Sequence, residues 1–215
     1  MSSHKMKHIT PESLEDLPSR VAYLKSFLHF TASDVKALNS ATPLIAPLIP
    51  GLLDAVYGKL LKYDITAAVF IPKNTDFEGE TPKGLEDLSL EHPQIAMRKD
   101  FFKNYLVRLL FTSDFDDNSP FWKYLNNVGI MHTGRPGFKH RESRPELRVD
   151  YIHMGLTLSY VSDVILNAVM KMDDVPFEKR LAVVRAFNKV IWMQNDLFAR
   201  HYINDAEPES KTPTA

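Results

Sequence analysis

The sequence predicts an all-α fold, and three observations lead to this prediction. Apolar residues recur at intervals of three and four along most of the chain, the spacing that places them on one face of a helix. The 14 prolines fall mostly between these apolar stretches, where they begin or end helices. No β-hairpin signal and no repeat of fixed period is present.

Composition limits the size and class of the protein. Its 215 residues suit one domain, and 44% hydrophobic with 25% charged residues is typical of a globular chain with an ample core. A net charge of -1 gives no indication of a nucleic-acid partner. With no cysteine, disulfides, thiolate metal sites and cysteine nucleophiles are excluded. The N-terminus lacks a secretory signal, and no unbroken apolar run would span a membrane, so we expect a cytoplasmic protein.

The N-terminal half should contain three helices. The first covers residues 11–29, with Thr10 as its expected cap. The second begins at a cap formed by Thr31 or Ser33. The third becomes regular near Pro50, because the prolines before it would kink a continuous helix. Its apolar face comprises Leu53, Val56, Tyr57, Leu60 and Leu61.

The C-terminal half should contain four further helices. They follow an acidic loop over residues 71–92 and cover residues 93–112, 120–132, 147–172 and 176–203. Only the short segment "MDDVP" joins the last two, so they should lie antiparallel. The chain therefore divides into an N-terminal tail over residues 1–10, one domain of seven or eight helices over residues 11–203, and a disordered polar tail over residues 204–215.

A histidine closes the apolar face of the helix over residues 120–132. Phe121, Leu125, Val128 and His132 follow the spacing i, i+4, i+7, i+11 and therefore share one face. The apolar members predict that this face is buried, and a buried imidazole needs a hydrogen-bond partner or a metal. The residues alone leave two interpretations open. His132 is either a core histidine bonded to a backbone carbonyl or a metal ligand at a helix end.

Four segments in order resemble the protoglobin and globin-coupled-sensor family, most closely its single-domain fungal members. The segments are "YLKSFLHFTASDVKAL", "LLDAVYGKLL", "RKDFFKNYLVRLL" and "VGIMH", and two long helices follow them. The resemblance covers about residues 14–203. It implies a globin-like fold with an extra N-terminal helix, and one haem b.

The matched positions imply individual roles. His132, in an aliphatic-Gly-x-x-His element, matches the proximal ligand of the haem iron. Tyr57 matches a tyrosine of the distal pocket, and Phe102, or its neighbour Phe101, matches a distal phenylalanine. A tyrosine hydroxyl there can donate a hydrogen bond to bound oxygen. A core tyrosine with its hydroxyl at the surface is the alternative for Tyr57. The apolar residues expected to line the pocket are Leu60, Leu106 and Val128.

For other histidines and basic residues the expected roles are less specific. In the loop after His132, Arg135, Lys139 or Arg144 could reach the haem propionates, and a solvated loop is the alternative for each. His153 is expected in the core or at a subunit interface, with a place beside the haem as the alternative. The remaining histidines at helix ends, His29 and His92, should be caps or surface residues.

The last two helices carry more apolar surface than one small core requires. The stripes include Val161, Ile165 and Val169 on one helix and Leu181, Val184, Phe187, Val190, Ile191, Leu197 and Phe198 on the other. The resemblance implies a homodimer in which these helices form a four-helix bundle with their mates. In that bundle Val190 would point outward. The alternative is that this surface covers the haem pocket and the N-terminal helix.

The resemblance implies a function in reversible binding of oxygen or another diatomic gas, such as carbon monoxide or nitric oxide. The protein would be a gas sensor or a gas-binding protein, and a sensor would signal through a partner or the dimer interface. Two alternatives stay open. One is a haem enzyme, such as a nitric oxide dioxygenase or a peroxidase-like protein. The other is a haem-free helical dimerisation or interaction module.

Overall fold

Eight α-helices follow one another in the part of the chain that the computed structural model describes, residues 6–73, 77–142 and 146–203. Within these ranges the only β-pairing is one isolated bridge between Thr133 and Arg148, so the all-α prediction is confirmed. The predicted tail over residues 204–215 lies outside the described residues. The helices are α1 (Leu17–Phe27), α2 (Ala32–Ile45), α3 (Ile49–Leu60), α4 (Asp64–Ala67), α5 (Pro93–Phe111), α6 (Pro120–Met131), α7 (Tyr151–Met170) and α8 (Phe177–Ala199).

The helix expected over residues 11–29 consists of two elements. A 3-10 helix covers Pro11–Glu15, and α1 begins at Leu17 after an extended residue, Asp16. The Asp16 carboxylate accepts hydrogen bonds from the amide of Ser19 at 3.0 Å and from its hydroxyl at 2.7 Å, which caps α1. Pro18 has no amide hydrogen, and it loses nothing at the start of a helix. A helix continuing through Pro18 would lose a hydrogen bond there.

The link between α2 and α3 matches the expectation from the prolines. Pro43 lies inside α2, a 3-10 helix covers Ala46–Leu48, and α3 begins at Ile49, one residue before Pro50. The short α4, which follows α3, was not predicted because only four residues form it.

Two helical stretches are long and apolar enough to cross a bilayer by length and composition alone. They are Ala32–Leu60, with a mean hydropathy of 1.3, and Tyr151–Met170, with 1.2. Core helices also reach these values, and both stretches contribute to the core, through residues such as Ile45 and Ile165. Only 22% of the apolar window of α7 is buried, against 39% in the first stretch. The outer face of α7 therefore carries apolar residues that nothing in the described chain covers.

The main core forms where α8 packs against α2, α6 and α7. Trp122 of α6 is the largest fully buried side chain there. Gly129 marks the crossing of α6 and α8, because a Cβ at this position would lie 2.9 Å from the Leu197 carbonyl oxygen and 2.9 Å from Cδ1 of Phe198. The two helices approach this closely because residue 129 has no side chain. This close crossing holds the end of α6, and with it His132, against α8.

Most of the apolar residues expected at a subunit seam lie in the core of the single chain. Val161, Ile165 and Val169 of α7 are buried, as are Phe187, Val190, Ile191, Leu197 and Phe198 of α8. Val190 is only 1% exposed, so its expected outward position is wrong. The physical reason is that α8 is surrounded by three helices, so several of its faces are buried at once. Different apolar residues of the same two helices are exposed: Ile152, Leu156, Leu166 and Trp192.

Candidate functional site

The backbone of His132 is held at both of its polar atoms. His132 is the C-cap of α6, and its amide donates to the carbonyls of Val128 at 3.3 Å and Gly129 at 3.2 Å. Its carbonyl accepts from the Val149 amide at 2.9 Å. The side chain is anchored as well, because Nδ1 lies 2.8 Å from the Val128 carbonyl oxygen. Only the far side of the ring, with Nε2, is left without a hydrogen bond in the described residues.

The surroundings of His132 favour its neutral form. A carbonyl oxygen can only accept, so Nδ1 carries the hydrogen and Nε2 carries the lone pair. Burial lowers the pKa of His132, and the charges of Arg141 and Arg98 act in the same direction, while the bond to Val128 opposes them. A neutral imidazole with a free Nε2 lone pair is the form that binds a metal ion. Hence His132 can serve as a single metal ligand.

The loop after His132 doubles back beside α6. Gly134 has φ +91°, and its amide donates to the Leu147 carbonyl at 3.0 Å. Gly137 has φ +65°, and a Cβ there would collide with the carbonyl of Asn127. Both positions need glycine because other residues rarely adopt positive φ, and the second also lacks room. The segment that returns beside α6 contains Val149, whose amide donates to the His132 carbonyl.

Tyr57 of α3 lies in a second apolar cluster together with Phe70 and Ile95. It is 7% exposed, and its ring centroid lies 5.7 Å from that of Phe70 and 6.4 Å from that of Phe102. Burial raises the pKa of Tyr57, so the hydroxyl keeps its proton. This hydroxyl makes no hydrogen bond to any residue that the structure describes. It is therefore a protonated donor without a protein acceptor.

Phe102, rather than Phe101, lies beside Tyr57. Phe102 is half-buried and also stacks on Tyr105, with ring centroids 6.0 Å apart. Phe101 is 48% exposed, and we find it in neither apolar cluster. The other expected lining residues, Leu60, Leu106 and Val128, all pack in the main core, and Leu60 also contacts the Tyr57 cluster.

Side chains rather than close backbone packing fill the gap between the helix that carries Phe102 and the helix that His132 ends. The backbone of α5 packs against α2 and α3, and that of α6 packs against α8 and α1, but α5 and α6 do not pack closely against each other. Aromatic side chains span the space between them, with ring centroids of Tyr105 and Tyr124 6.2 Å apart. His132 contacts Phe198 of α8, at 6.2 Å between ring centroids. Tyr57 and Phe102 are thus brought together on one side, and His132 lies on the other.

Two polar atoms near the gap are buried without a hydrogen-bond partner among the described residues. They are the hydroxyl of Tyr105 and Nε of Arg98. Neither residue was predicted from the sequence to be functional. A signal was available for Arg98, because it precedes Phe102 by four residues and so places a cation on the apolar face of α5.

The remaining candidates are placed elsewhere. Arg135 is exposed and its Nε donates to the Thr133 hydroxyl at 3.1 Å, and Lys139 is exposed too, as expected for a solvated loop. Arg144 lies outside the described residues. His153 is half-buried on α7. His92 caps α5 by accepting from the Gln94 amide at 3.1 Å, and the exposed His29 follows the last turn of α1 with φ 51°, so both expectations are confirmed. The described residues contain no group of three acids or histidines that could hold a metal ion.

Comparison with known proteins identifies the family. The family model described as Protoglobin matches residues 17–208. Among solved structures, the globin domain of a Geobacter sulfurreducens globin-coupled sensor is similar, with a TM-score of 0.59 and 21% identity over 85% of this chain and 97% of that one. This likeness confirms the globin-like fold. No curated protein sequence matches the chain. Because the family model covers most of its length, the chain belongs to the protoglobin family.

Proposed function

We propose that the protein binds one b-type haem through Nε2 of His132 and reversibly binds a diatomic gas on the side of Tyr57. The bond of 2.8 Å between Nδ1 of His132 and the Val128 carbonyl carries the proposal, because it leaves Nε2 as a lone-pair donor. When bound, a haem iron with one protein ligand supplies an open position for oxygen, carbon monoxide or nitric oxide. Family membership supports this function.

The residues around the gap fit a haem. A flat apolar macrocycle would enter between α5 and α6, whose backbones stand apart, by displacing the aromatic side chains that lie between them. A haem also needs polar protein side chains beside its own polar groups. The unpartnered Tyr105 hydroxyl and Arg98 Nε meet this requirement, since buried polar atoms without partners are costly unless a ligand satisfies them.

On the gas side, Tyr57 would act as the hydrogen-bond donor. Its raised pKa keeps the hydroxyl protonated, and no described residue competes as an acceptor. Phe102 holds the Tyr57 ring in place from α5, and with Leu60 it would keep water away from the gas. The surroundings therefore favour a ligand that gains negative charge on binding, as oxygen does.

Replacing His132 with alanine tests this proposal. His132→Ala should abolish binding of haem in a one-to-one ratio, because it removes the only nitrogen proposed to hold the iron. The measurement is the Soret absorbance per protein chain after purification from haem-fed cells. His153→Ala is the matched control on α7 and should keep full loading. Full loading with an unchanged spectrum in His132→Ala would contradict the proposal, and a loss in His153→Ala instead would transfer the ligand role to that residue.

The same preparations distinguish the alternative functions. Wild-type protein without Soret absorbance after haem feeding would favour the haem-free interaction module. A haem-loaded protein that turns over nitric oxide or peroxide with a coupled reductase would favour the enzyme. We expect haem loading, and gas binding that reverses when the gas is removed.

A further inference from the structure

Arg98 is a half-buried cation that the protein itself satisfies only in part. It lies on α5 one turn before Phe102, and its guanidinium lies 5.1 Å above the ring of Phe70. Its Nη2 is 3.4 Å from the Pro72 carbonyl, which is a long contact. Its Nε is buried and has no partner among the described residues. A guanidinium normally uses its planar set of donors together, so one donor here is available for a ligand.

The charge of Arg98 affects residues on both sides of the gap. Its charge acts on Tyr57, on the side proposed for the gas, and on His132, on the opposite side. Arg141, from the 3-10 helix after His132, also acts on the imidazole, and the two arginines repel each other. Arg98 is half-buried and its contact with Pro72 is exposed, so it lies at the edge of the gap rather than inside it. Within the described residues Arg98 forms no ion pair with a carboxylate.

We infer that Arg98 binds a carboxylate of the haem at the edge of the gap. The inference rests on the proposed function. The ligand chemistry follows from the geometry, because a b-type haem carries two carboxylates at one edge, and arginine binds carboxylates through parallel hydrogen bonds. The gas is proposed to bind on the Tyr57 side of the gap, so an arginine at the edge is better placed to bind a haem carboxylate than the gas. Arg98 would thus take the role that the sequence suggested for Arg135, Lys139 or Arg144.

The test compares two porphyrins in the apoprotein. One is iron protoporphyrin, and the other is its dimethyl ester, in which the carboxylates are uncharged. The measurement is the rate at which each leaves the protein for an excess of a high-affinity apoglobin scavenger. We expect the wild type to lose the ester roughly tenfold faster than the acid, since hydrogen bonds between charged groups are about that strong. Arg98→Gln should lose the acid roughly tenfold faster than wild type.

The inference predicts that the ratio between the two porphyrins falls toward one in Arg98→Gln. Arg98→Lys should give an intermediate ratio, because it keeps the charge without the planar fork. Arg108→Gln is the control from the same helix. Arg108 is exposed, and its guanidinium lies 4.4 Å above the Tyr124 ring, so the ratio should stay at the wild-type value.

A stability measurement separates this role from a structural one. The haem-free Arg98→Met variant should unfold at the same or a higher urea concentration than the haem-free wild type, because a partly satisfied buried charge is removed. An unchanged acid-to-ester ratio in Arg98→Gln would overturn the inference and leave the proposed function intact. A large loss of stability in haem-free Arg98→Met would also overturn it. If wild-type protein binds no haem at all, both fail, and Soret absorbance shows which case applies.

Discussion

Tyr57 could be a core tyrosine or a hydrogen-bond donor to a ligand, and the surroundings of its hydroxyl distinguish the two roles. A core tyrosine normally directs its hydroxyl to solvent or to a protein acceptor. Here the residue is 7% exposed, and the hydroxyl has no acceptor in the described chain. The ring is held by Phe70 and Phe102, so the position of the hydroxyl oxygen is held as well. These contacts favour a donor role toward a ligand.

Replacing Tyr57 with phenylalanine should speed oxygen release roughly tenfold to hundredfold. The change keeps the packing and removes one hydrogen bond to a partly charged acceptor, worth about 1.5–3 kcal/mol. Carbon monoxide is a poorer acceptor, so its release should change far less. Stopped-flow dissociation of both gases is the measurement. Tyr63→Phe is a control, because Tyr63 is 53% exposed outside the cluster. Equal changes for both gases would mean that Tyr57 is a core tyrosine.

His201 should make the protein sensitive to acid. Burial and the charge of Arg200 lower its pKa to about 4, and its Nε2 lies 2.9 Å from Oδ1 of Asn126 on α6. The unfolded chain has the ordinary pKa near 6.5, so it binds more protons than the native state between these values. The stability from neutral His201 is complete above about pH 6.5 and is lost as the pH falls toward 4.

Because His201 is half-exposed, we expect this contribution to be about 1–2 kcal/mol rather than the full value of the pKa shift. His201→Gln keeps a hydrogen-bonding group without a titration. Urea unfolding at several values between pH 7 and pH 4 should show a smaller loss of stability in this variant than in wild type. Parallel curves for the two proteins would exclude His201 as a source of acid sensitivity.

At the scale of elements, the crossing of α6 and α8 determines where His132 lies. Gly129 permits the crossing, and three residues later the cap of α6 presents the imidazole. The bond between Val149 and the His132 carbonyl holds the other side of the cap. Helix packing and loop return therefore fix the same residue from two directions, as a site for a single metal bond requires.

A methyl group at this crossing should separate the helices. Gly129→Ala places a Cβ against the Leu197 backbone, which cannot rotate away, and we expect a loss of about 1–3 kcal/mol. Haem dissociation should accelerate as well, because His132 would shift. Gly51→Ala is the matched control in α3, where no atom lies within 4 Å of the new Cβ. That variant should be unchanged or more stable by roughly 0.5–1 kcal/mol. Equal effects of the two substitutions would mean that the crossing is not tightly packed.

At the scale of the whole molecule, α7 has an exposed stripe that is mostly apolar. Its members follow intervals of four and three residues: Ile152, Leu156, Ser159, Asp163 and Leu166. Ile152 is 64% and Leu156 is 62% exposed, and Trp192 of α8 is 58% exposed. An apolar surface on two neighbouring antiparallel helices is typical of a subunit seam. We propose that the homodimer forms through these residues.

Leu156→Glu should convert this dimer into monomers while the chain stays folded, because a charge would be buried in the seam only on association. Light scattering at micromolar concentration is the measurement. Phe111→Glu is the control, since Phe111 is 60% exposed on α5, away from the stripe. Val190→Glu should instead unfold the chain, because Val190 is buried in the monomer. A wild-type protein that is already monomeric would exclude the seam.

The helical class and most helix positions could be predicted from the sequence, and His132 and Tyr57 were named from it as candidates for the site. Helix periodicity is local, so spacing along the chain shows that Phe121, Leu125, Val128 and His132 share one face. Glycine and proline act locally too, which is why the loop after α6 and the start of α3 were predicted. His132 and Tyr57 were predicted as site residues because their segments resemble those of a known family.

The sequence could not show which apolar face of a helix is buried or which hydrogen-bond partner a polar side chain has in the folded chain. Val190 and Leu156 are both apolar residues of long helices, yet one is 1% and the other 62% exposed, because their helices have different neighbours. Phe102 rather than Phe101 is half-buried because of the direction in which α5 packs against α2 and α3. Arg98 meets Phe70 and Pro72, which precede it by more than twenty residues, so no local pattern could show its unpartnered Nε. Burial depends on contacts between distant segments, and the folded chain alone brings those segments together.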